Sequence, residues 1–505
     1  MPEHLRALIT ILLLSFIVFA IAQKPACQII EYEDFKRRRN LWYGITLTAF
    51  LAHNFWVYLF VAGGMLFIFS KQEERPVALF FMLIFALPTA SIQVPGFGLV
   101  NYLIDFNHQR LLTLIIFFPA FLALQNSKDT MPFGRLLSEK FFGAYLLLLA
   151  ILSFREPSIT NALRNIFDLV TFIILPYYVI SRSLRNLADF RNALLAFVLA
   201  VMVLALIGVF EATQHWLLYS SLIEVFDMDR SMTRYLSRAG ALRAIATSGQ
   251  SIVLGYLMAV AIGLYLFLQQ PITSKLYRRL GLLLLIAGLL AALSRGPWVG
   301  AVFIIVLFVA TGRHAARILI QLALVGAILI PLVGFLPGGE KIVNLLPFIG
   351  ETEQGTISYR ESLIDNSLIV IKRHPFFGSE DYLEAPEMES MRQGNGIIDI
   401  VNSYVRVALD TGLVGLALFV GLFLSISCGI FRSFRSISDK SSGEHLLGRA
   451  LFATIMGIML IISTVSSIKF IPLVYWSVAG LGVAYINMVK RSQMENKISS
   501  FSPKR

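Results

Sequence analysis

Apolar runs of roughly 17 to 25 residues recur from one end of this chain to the other, separated by polar stretches that carry most of the Lys and Arg. Each run is about the length an α-helix needs to cross a hydrocarbon core of about 30 Å. One such run is compatible with a buried helix of a soluble protein, but so many in series are not. The chain is 57% hydrophobic and 15% charged over 505 residues, which leaves too little polar surface to clothe a soluble domain. The expected fold class is all-α, a polytopic integral membrane protein of about 12–14 transmembrane helices.

The runs fall at 5–22, 41–69, 77–95, 110–124, 141–153, 166–180, 192–212, 251–268, 280–294, 297–311, 318–335, 403–431, 450–467 and 470–488. The first resembles a secretory signal, but its long apolar core and weakly basic start favour a retained helix. The second is long enough to hide a break near His53 and Asn54. The net charge of +12 is dispersed between the runs instead of being gathered on one aromatic-rich patch, so it reads as membrane topology and excludes nucleic acid. Cys27 and Cys428 lie far apart and imply neither a disulfide framework nor a metal cluster.

Positive loops stay on the cytoplasmic side. With both termini cytoplasmic, Lys71, Arg75, Lys128, Arg185, Arg278, Arg313 and Arg435 fall inside, whereas Arg110, Arg155, Arg164, Arg295 and Lys469 fall outside. The run Lys36-Arg37-Arg38-Arg39 disagrees, falling on the outer side. Either the first segment is not a simple span or the second is broken.

Two connections exceed turn length, and both belong to the outer face. The expected organisation is N-terminal helices 1–212, a first periplasmic loop 213–250, central helices 251–335, a large periplasmic loop 336–402, and C-terminal helices with a cytoplasmic tail 403–505. The larger loop, with a helix-like stretch from Ser362 to Lys372, reads as a small folded lid. Chemistry is expected on this face.

Three features there combine polar chemistry with unusual backbone. Ser294-Arg295-Gly296-Pro297-Trp298 marks a tight helix-turn-helix, in which Pro suits the start of a helix and Gly296 permits an unusual backbone angle. Arg295 would snorkel to lipid head groups or grip a diphosphate with its planar fork of donors. In the first loop stand Arg230, Arg234, Arg238 and Arg243, near Asp227 and Asp229. Arg230 and Arg234 read as a solvated pair for local acids; Arg243 precedes a small, polar stretch, 244–251, that would let a ligand reach the backbone.

The third feature runs from Tyr359-Arg360-Glu361 through Arg373-His374-Pro375-Phe376-Phe377-Gly378 to Asp399-Ile400-Val401-Asn402-Ser403-Tyr404 and Asp410-Thr411-Gly412-Leu413-Val414-Gly415. Arg406 and Asp410 stand at i and i+4 and are expected to form an internal ion pair.

Over residues 240–420 this series resembles the O-antigen ligase and O-antigen polymerase superfamily of membrane glycosyltransferases. The shared order is an Arg before a middle helix, a Ser-Arg-Gly turn, an Arg-containing amphipathic stretch, a His-Pro-φ-φ-Gly motif, an Asn-Ser-Tyr helix start and a Thr-Gly-Leu-φ-Gly run. One departure stands out: Val401 occupies the position of the histidine that many ligases place before Asn-Ser.

The resemblance implies a bacterial inner-membrane enzyme of lipopolysaccharide or exopolysaccharide biosynthesis. Its donor would be an undecaprenyl-diphosphate-linked glycan, and its partners an acceptor glycan or lipid, the bilayer and polysaccharide-assembly proteins. Diphosphate is a good leaving group that needs charge stabilisation, for which Arg295, Arg243, Arg360 and Asn402 are the candidates. The acceptor hydroxyl needs a general base, with Asp399 first and His374 second. No acidic pair convinces as a divalent-metal site, so metal-independent, inverting transfer without a cofactor is expected. Polymerase is preferred to ligase because of Val401. A lipid-linked oligosaccharide flippase is the competing class.

Overall fold

A computed structural model describes residues 1–98, 100–228, 235–238, 240–334, 354–393, 396–468 and 470–501. The described residues are mostly helical. Helices α1 (Glu3–Ala26), α2 (Tyr32–Leu51), α3 (Phe55–Ser70) and the short α4 (Pro76–Leu83) lead into an antiparallel hairpin, β1 (Ser91–Pro95) with β2 (Tyr102–Asn107). Then come α5 (His108–Asn126), α6 (Leu137–Arg155), α7 (Ile159–Ser183) and α8 (Leu187–Gln214). A minimal hairpin, β3 (Ser237–Arg238) with β4 (Ala241–Leu242), precedes α9 (Ser251–Leu268), α10 (Lys275–Ala291), α11 (Arg295–Ala310) and α12 (Ala315–Gly334). Helix α13 (Gln354–Arg373) belongs to the long connection after α12; α14 (Ser403–Arg435), α15 (Gly443–Ile462) and α16 (Phe470–Phe501) follow.

Among the described residues, nine helices are long and apolar enough to cross a membrane, and three more are shorter apolar helices. The protein is a polytopic membrane protein. Two of the apolar runs are interrupted, 41–69 and 77–95. The 77–95 run is helical only from Pro76 to Leu83 and then enters the hairpin.

The 41–69 run is two antiparallel helices. His53 takes φ 51°, and Asn54 caps α3 by accepting from the Trp56 N–H (2.8 Å) and the Val57 N–H (3.4 Å). The chain therefore reverses, and the basic start of α2 joins the loop after α3. Arg38 donates to both oxygens of Glu73 (3.0 and 2.8 Å), Arg37 donates to Glu73 (3.0 Å), and Arg75 donates to Asp34 (3.3 Å). Burial pushes the Glu73 carboxyl up, but the guanidiniums of Arg38 and Arg37 outweigh it and hold the group below its ordinary value.

This reversal corrects the expected topology. At the opposite end of the bundle, Trp216 Nε1 donates to Glu3 (3.1 Å) and the His4 and His53 rings meet at 5.1 Å. Arg491 donates to the Asp129 carbonyl at the basic end (3.2 Å). Glu3 and Arg491 thus lie at opposite ends of the bundle, where counting the second run as one span put both termini on one side.

Helices α8, α9 and α16 form the interior, and the others surround them with lipid-facing surface. Close approach of α11 and α15 depends on small residues, as is common where no hydrophobic effect drives helices together in lipid. A Cβ on Gly300 would stand 2.1 Å from Ile461 Cγ1, and one on Gly457 equally close to Ile304 Cγ1. Both cysteines are free.

The long connection between α12 and α14 carries its own small core. Leu363, Val370, Ile371, Tyr382, Met388 and Ile400 pack together against Ala408 and Leu409 of α14. The described part is a folded lid, with a helix that includes the expected 362–372 stretch.

Candidate active site

The lid, the connection between α8 and α9 and the α15–α16 connection line a cavity of about 620 Å³. Its polar wall includes Arg243, Gln250, Gln393, Asp399, Arg406 and Ser466. Two guanidiniums and one carboxylate from distant parts of the chain therefore face one space.

Asp399 is exposed to this cavity, and its Oδ1 accepts a 2.5 Å hydrogen bond from Ser466 Oγ. Its backbone is fixed by Tyr359 on α13: the tyrosine oxygen accepts from the Asp399 N–H (3.2 Å) and lies 3.2 Å from the Asp399 carbonyl oxygen. Below Ser466, the Ser403 hydroxyl donates to the Val465 carbonyl (2.7 Å) and Ser467 donates to Ser403 (2.7 Å). Ser466 and Ser467 escaped attention in the sequence; the one signal is the polar Ser463–Ser467 run between two apolar segments.

Arg243 donates to the hydroxyl of Ser294 (2.9 Å), the residue that precedes α11, while Arg238 donates to the Leu293 carbonyl (2.7 Å). The loop that carries Arg243 and the turn that carries Arg295 are thereby joined. Arg295 is half-buried at the first position of α11 and does not line the cavity itself. The unusual backbone angle in this turn belongs to Leu293, at φ 45°, and not to Gly296. Gly296 is needed for a different reason: a Cβ there would meet Thr464 Oγ1 at 2.6 Å.

The stretch after Arg243 is not open backbone, as its small residues had suggested. Ala244 through Ser248 are buried. Glu211, fully buried at the end of α8, accepts from the N–H groups of Ile245 (3.0 Å), Ala246 (2.8 Å) and Leu218 (3.1 Å). Thr247 donates to the Phe85 carbonyl (2.9 Å). Of the 244–251 stretch, Ile245, Gly249, Gln250 and Ser251 line the cavity. A lone Glu in the last turn of an apolar helix was the available sign.

The remaining candidates occupy other places. Asn402 caps α14: its side-chain oxygen accepts from the Tyr404 N–H (2.9 Å) and the Val405 N–H (3.2 Å). Arg360 follows Tyr359 on α13 and does not line the cavity. His374 is exposed on the turn after α13, also outside the cavity wall. Arg230 and Arg234 lie outside the described residues.

Arg406 and Asp410 do pair across one helical turn, at 3.6 Å, and Arg406 also faces the cavity. Tyr382 hydrogen-bonds Asp410; burial pushes its hydroxyl well up, so it remains a protonated donor.

The two glycine motifs explain each other. Gly412 breaks α14 at φ 68°, ψ −172°, and the His-Pro-Phe-Phe-Gly turn docks there backbone to backbone. The Leu413 N–H donates to the Pro375 carbonyl (2.7 Å) and the Ser379 N–H to the Leu409 carbonyl (2.9 Å). A Cβ on Gly378 would stand 2.2 Å from the Leu409 oxygen, and one on Gly412 2.3 Å from the Phe376 carbonyl. Arg155 adds bonds to the Phe377 and Gly378 carbonyls (2.9 and 3.3 Å).

No group of three or more His, Cys, Asp or Glu that could hold a metal ion occurs among the described residues; Asp229 is not one of them. No curated protein matches the chain. The family model described as O-antigen ligase matches residues 280–420, a stretch that contains Arg295, the lid, Asp399 and Arg406 but not Arg243. This polytopic membrane protein therefore carries an O-antigen ligase (Wzy_C) domain, the mark of ligase- and polymerase-type glycan transfer.

Proposed function

We propose that the protein is a polysaccharide polymerase that moves a glycan from an undecaprenyl-diphosphate-linked donor to a sugar hydroxyl at the periplasmic face of the bacterial inner membrane. The observation that carries this reading is the convergence of Arg243, Arg406 and Asp399 on one cavity at the lid end of the bundle. The clustering of Arg37, Arg38, Arg75 and Arg491 at the other end supports placing that end in the cytoplasm, and hence Glu3 outside.

In this mechanism Arg243 holds the diphosphate, with Arg295 behind it on the joined turn and Arg406 on the facing wall. Asp399, oriented by Ser466, takes the proton from the acceptor hydroxyl as its oxygen attacks the anomeric carbon. The glycosidic bond forms as the carbon–diphosphate bond breaks, and the arginines stabilise the charge that the leaving group acquires. Direct displacement inverts the anomeric centre. Transfer to lipid A core or to a protein uses the same chemistry and differs only in acceptor; Val401, where many ligases have His, favours the polymerase.

The test compares surface and secreted polysaccharide on gels for wild type, Arg243→Ala, Arg295→Ala and Asp399→Ala at equal membrane levels. A lost general base lowers rate about 10²- to 10⁴-fold. Single repeats in place of long chains support polymerase; long lipid-linked chains left unattached mean ligase. Unchanged length and attachment in all three variants overturn the reading and favour a flippase, which would change only the sidedness of labelled glycan in liposomes.

A further inference from the structure

The lid exposes an apolar stripe that its own core does not use. Helix α13 buries Leu363, Ser367 and Val370 on one side, while Ile364, Leu368 and Ile369 stand 40–47% exposed on another. The stripe continues beyond the helix into Phe376 and Phe377, which are 68% and 49% exposed. A water-facing loop has no use for two bare phenylalanines at the tip of a turn whose backbone is so firmly held.

Where that turn is held identifies what covers it. Its carbonyls accept from the N–H groups of Leu413 and Val414 in the spanning helix α14 and from Arg155 at the end of the spanning helix α6. Around the same level, Leu413, Ile151 and Phe154 are 50–61% exposed, and Leu147, one turn further along α6, is 63% exposed. These residues belong to the lipid-facing surface of two membrane spans. Phe376 and Phe377 therefore continue a surface already in contact with lipid. The exposed Lys372, one helical turn before Phe376, stands where a lipid phosphate would meet it.

We propose that α13 and the His-Pro-Phe-Phe-Gly turn form an interfacial anchor, with Phe376 and Phe377 inserted in the adjacent leaflet and the Ile364–Leu368 stripe lying at its surface. The anchor fixes the height of Tyr359, and through it Asp399, relative to the bilayer. The partner is the lipid surface itself, and the proposal does not depend on the transfer reaction.

The experiment uses the full chain with Cys27→Ala and Cys428→Ala, reconstituted in vesicles of phosphatidylcholine and phosphatidylglycerol. Single spin labels are placed by Phe376→Cys, Leu368→Cys, Leu147→Cys and Glu384→Cys. Power saturation then compares collisions with oxygen, which concentrates in lipid, and with a water-soluble nickel chelate. The expected result is that Phe376 matches the lipid reference at Leu147, that Leu368 lies between the references, and that Glu384 is aqueous. A label at Phe376 as accessible to nickel as that at Glu384 overturns the anchor; one at Leu368 that is fully aqueous overturns the interfacial placement of α13. Because the native Phe376 ring is exposed, its replacement removes no core contact. Phe377→Trp, read by quenching from brominated lipids, repeats the measurement without a spin label, and absence of quenching there overturns the insertion.

Discussion

Glu211 is the residue whose replacement tests most directly how the site is held. Its two oxygens serve three backbone N–H groups in two separate segments, one of which carries Arg243. Alanine would orphan all three buried donors at about 1–3 kcal/mol each, or about 3–9 kcal/mol together, a large part of the roughly 5–15 kcal/mol that stabilises a typical domain. That variant measures only folding. Glu211→Gln is the sharper perturbation. With its carbonyl oxygen turned to Ile245 and Ala246, it leaves the Leu218 N–H facing an amide that can only donate, at about 1–3 kcal/mol. If that cost is released by local opening, the populations of open loop rise about 5- to 150-fold. Hydrogen exchange read by mass spectrometry on peptides covering 215–220 and 243–250 measures this directly. We expect faster exchange in those two segments, unchanged exchange in α9 and α16, and loss of glycan product approaching that of Arg243→Ala. Unchanged exchange in 243–250, or acceleration spread evenly over the protein, would refute the view that Glu211 positions the Arg243 loop.

Two further outcomes follow from other contacts. Asn402→Ala should destabilise by about 0.5–2 kcal/mol through the lost cap, and Asn402→Asp should restore stability in a thermal melt because Asp caps as well; if Asn402 instead grips a diphosphate, Asp will leave product formation worse than Ala does. Glu73 tests the basic end of the bundle. Its folded value lies below the ordinary 4.5, so its stabilisation is complete above that value and is lost as pH falls through the depressed folded one. Glu73→Gln should cost about 1–3 kcal/mol near neutral pH, because Arg38 loses its closest carboxylate and keeps Asn192 (3.1 Å) and the more distant Asp34 (3.7 Å), while Arg37 keeps Asp34 (2.6 Å), and the gap to wild type should narrow in melts taken progressively below pH 4.5; a constant gap would refute the pairing.

The membrane class and the O-antigen ligase resemblance were legible in the chain because both rest on local pattern: the length of apolar runs and short motifs in order. The lid was legible too, since the Ser362–Lys372 stretch is periodic and a loop of that length inside a membrane protein is seldom idle. Topology was legible only as two alternatives, since the basic run Lys36–Arg39 points either to a first segment that is not a simple span or to a broken second one; the reversal at His53 and Asn54, an αL residue and an Asn cap, is that break. Single-residue roles were the least legible. Asn402 is a diphosphate-binding candidate by resemblance, and Gly378 and Gly412 stand only as parts of motifs, yet their contacts are a helix cap and a backbone-to-backbone joint. Of the residues that hold Asp399 and the Arg243 loop, Ser466 and Glu211 carry no motif at all, and Tyr359 stands in the third feature with no role of its own. Their role arises from what the fold brings near them.

That division has a physical reason. A carboxylate and two guanidiniums are costly within hydrocarbon, so a membrane protein keeps them at helix ends and in the connections beyond. Connections are where the backbone has least regular support, and a site assembled from three of them needs fixing from outside each one. The structure meets this with groups that bond backbone instead of side chain: Glu211 holds the N–H groups that follow Arg243, Tyr359 holds both polar backbone atoms of Asp399, and Arg155 holds the carbonyls of the lid turn. Such supports tolerate change in the side chains they position. Gln250 and Gln393 face the cavity without taking part in this frame, so on the proposed function substitutions there should alter which glycan is accepted while leaving the distance from arginine to carboxylate in place.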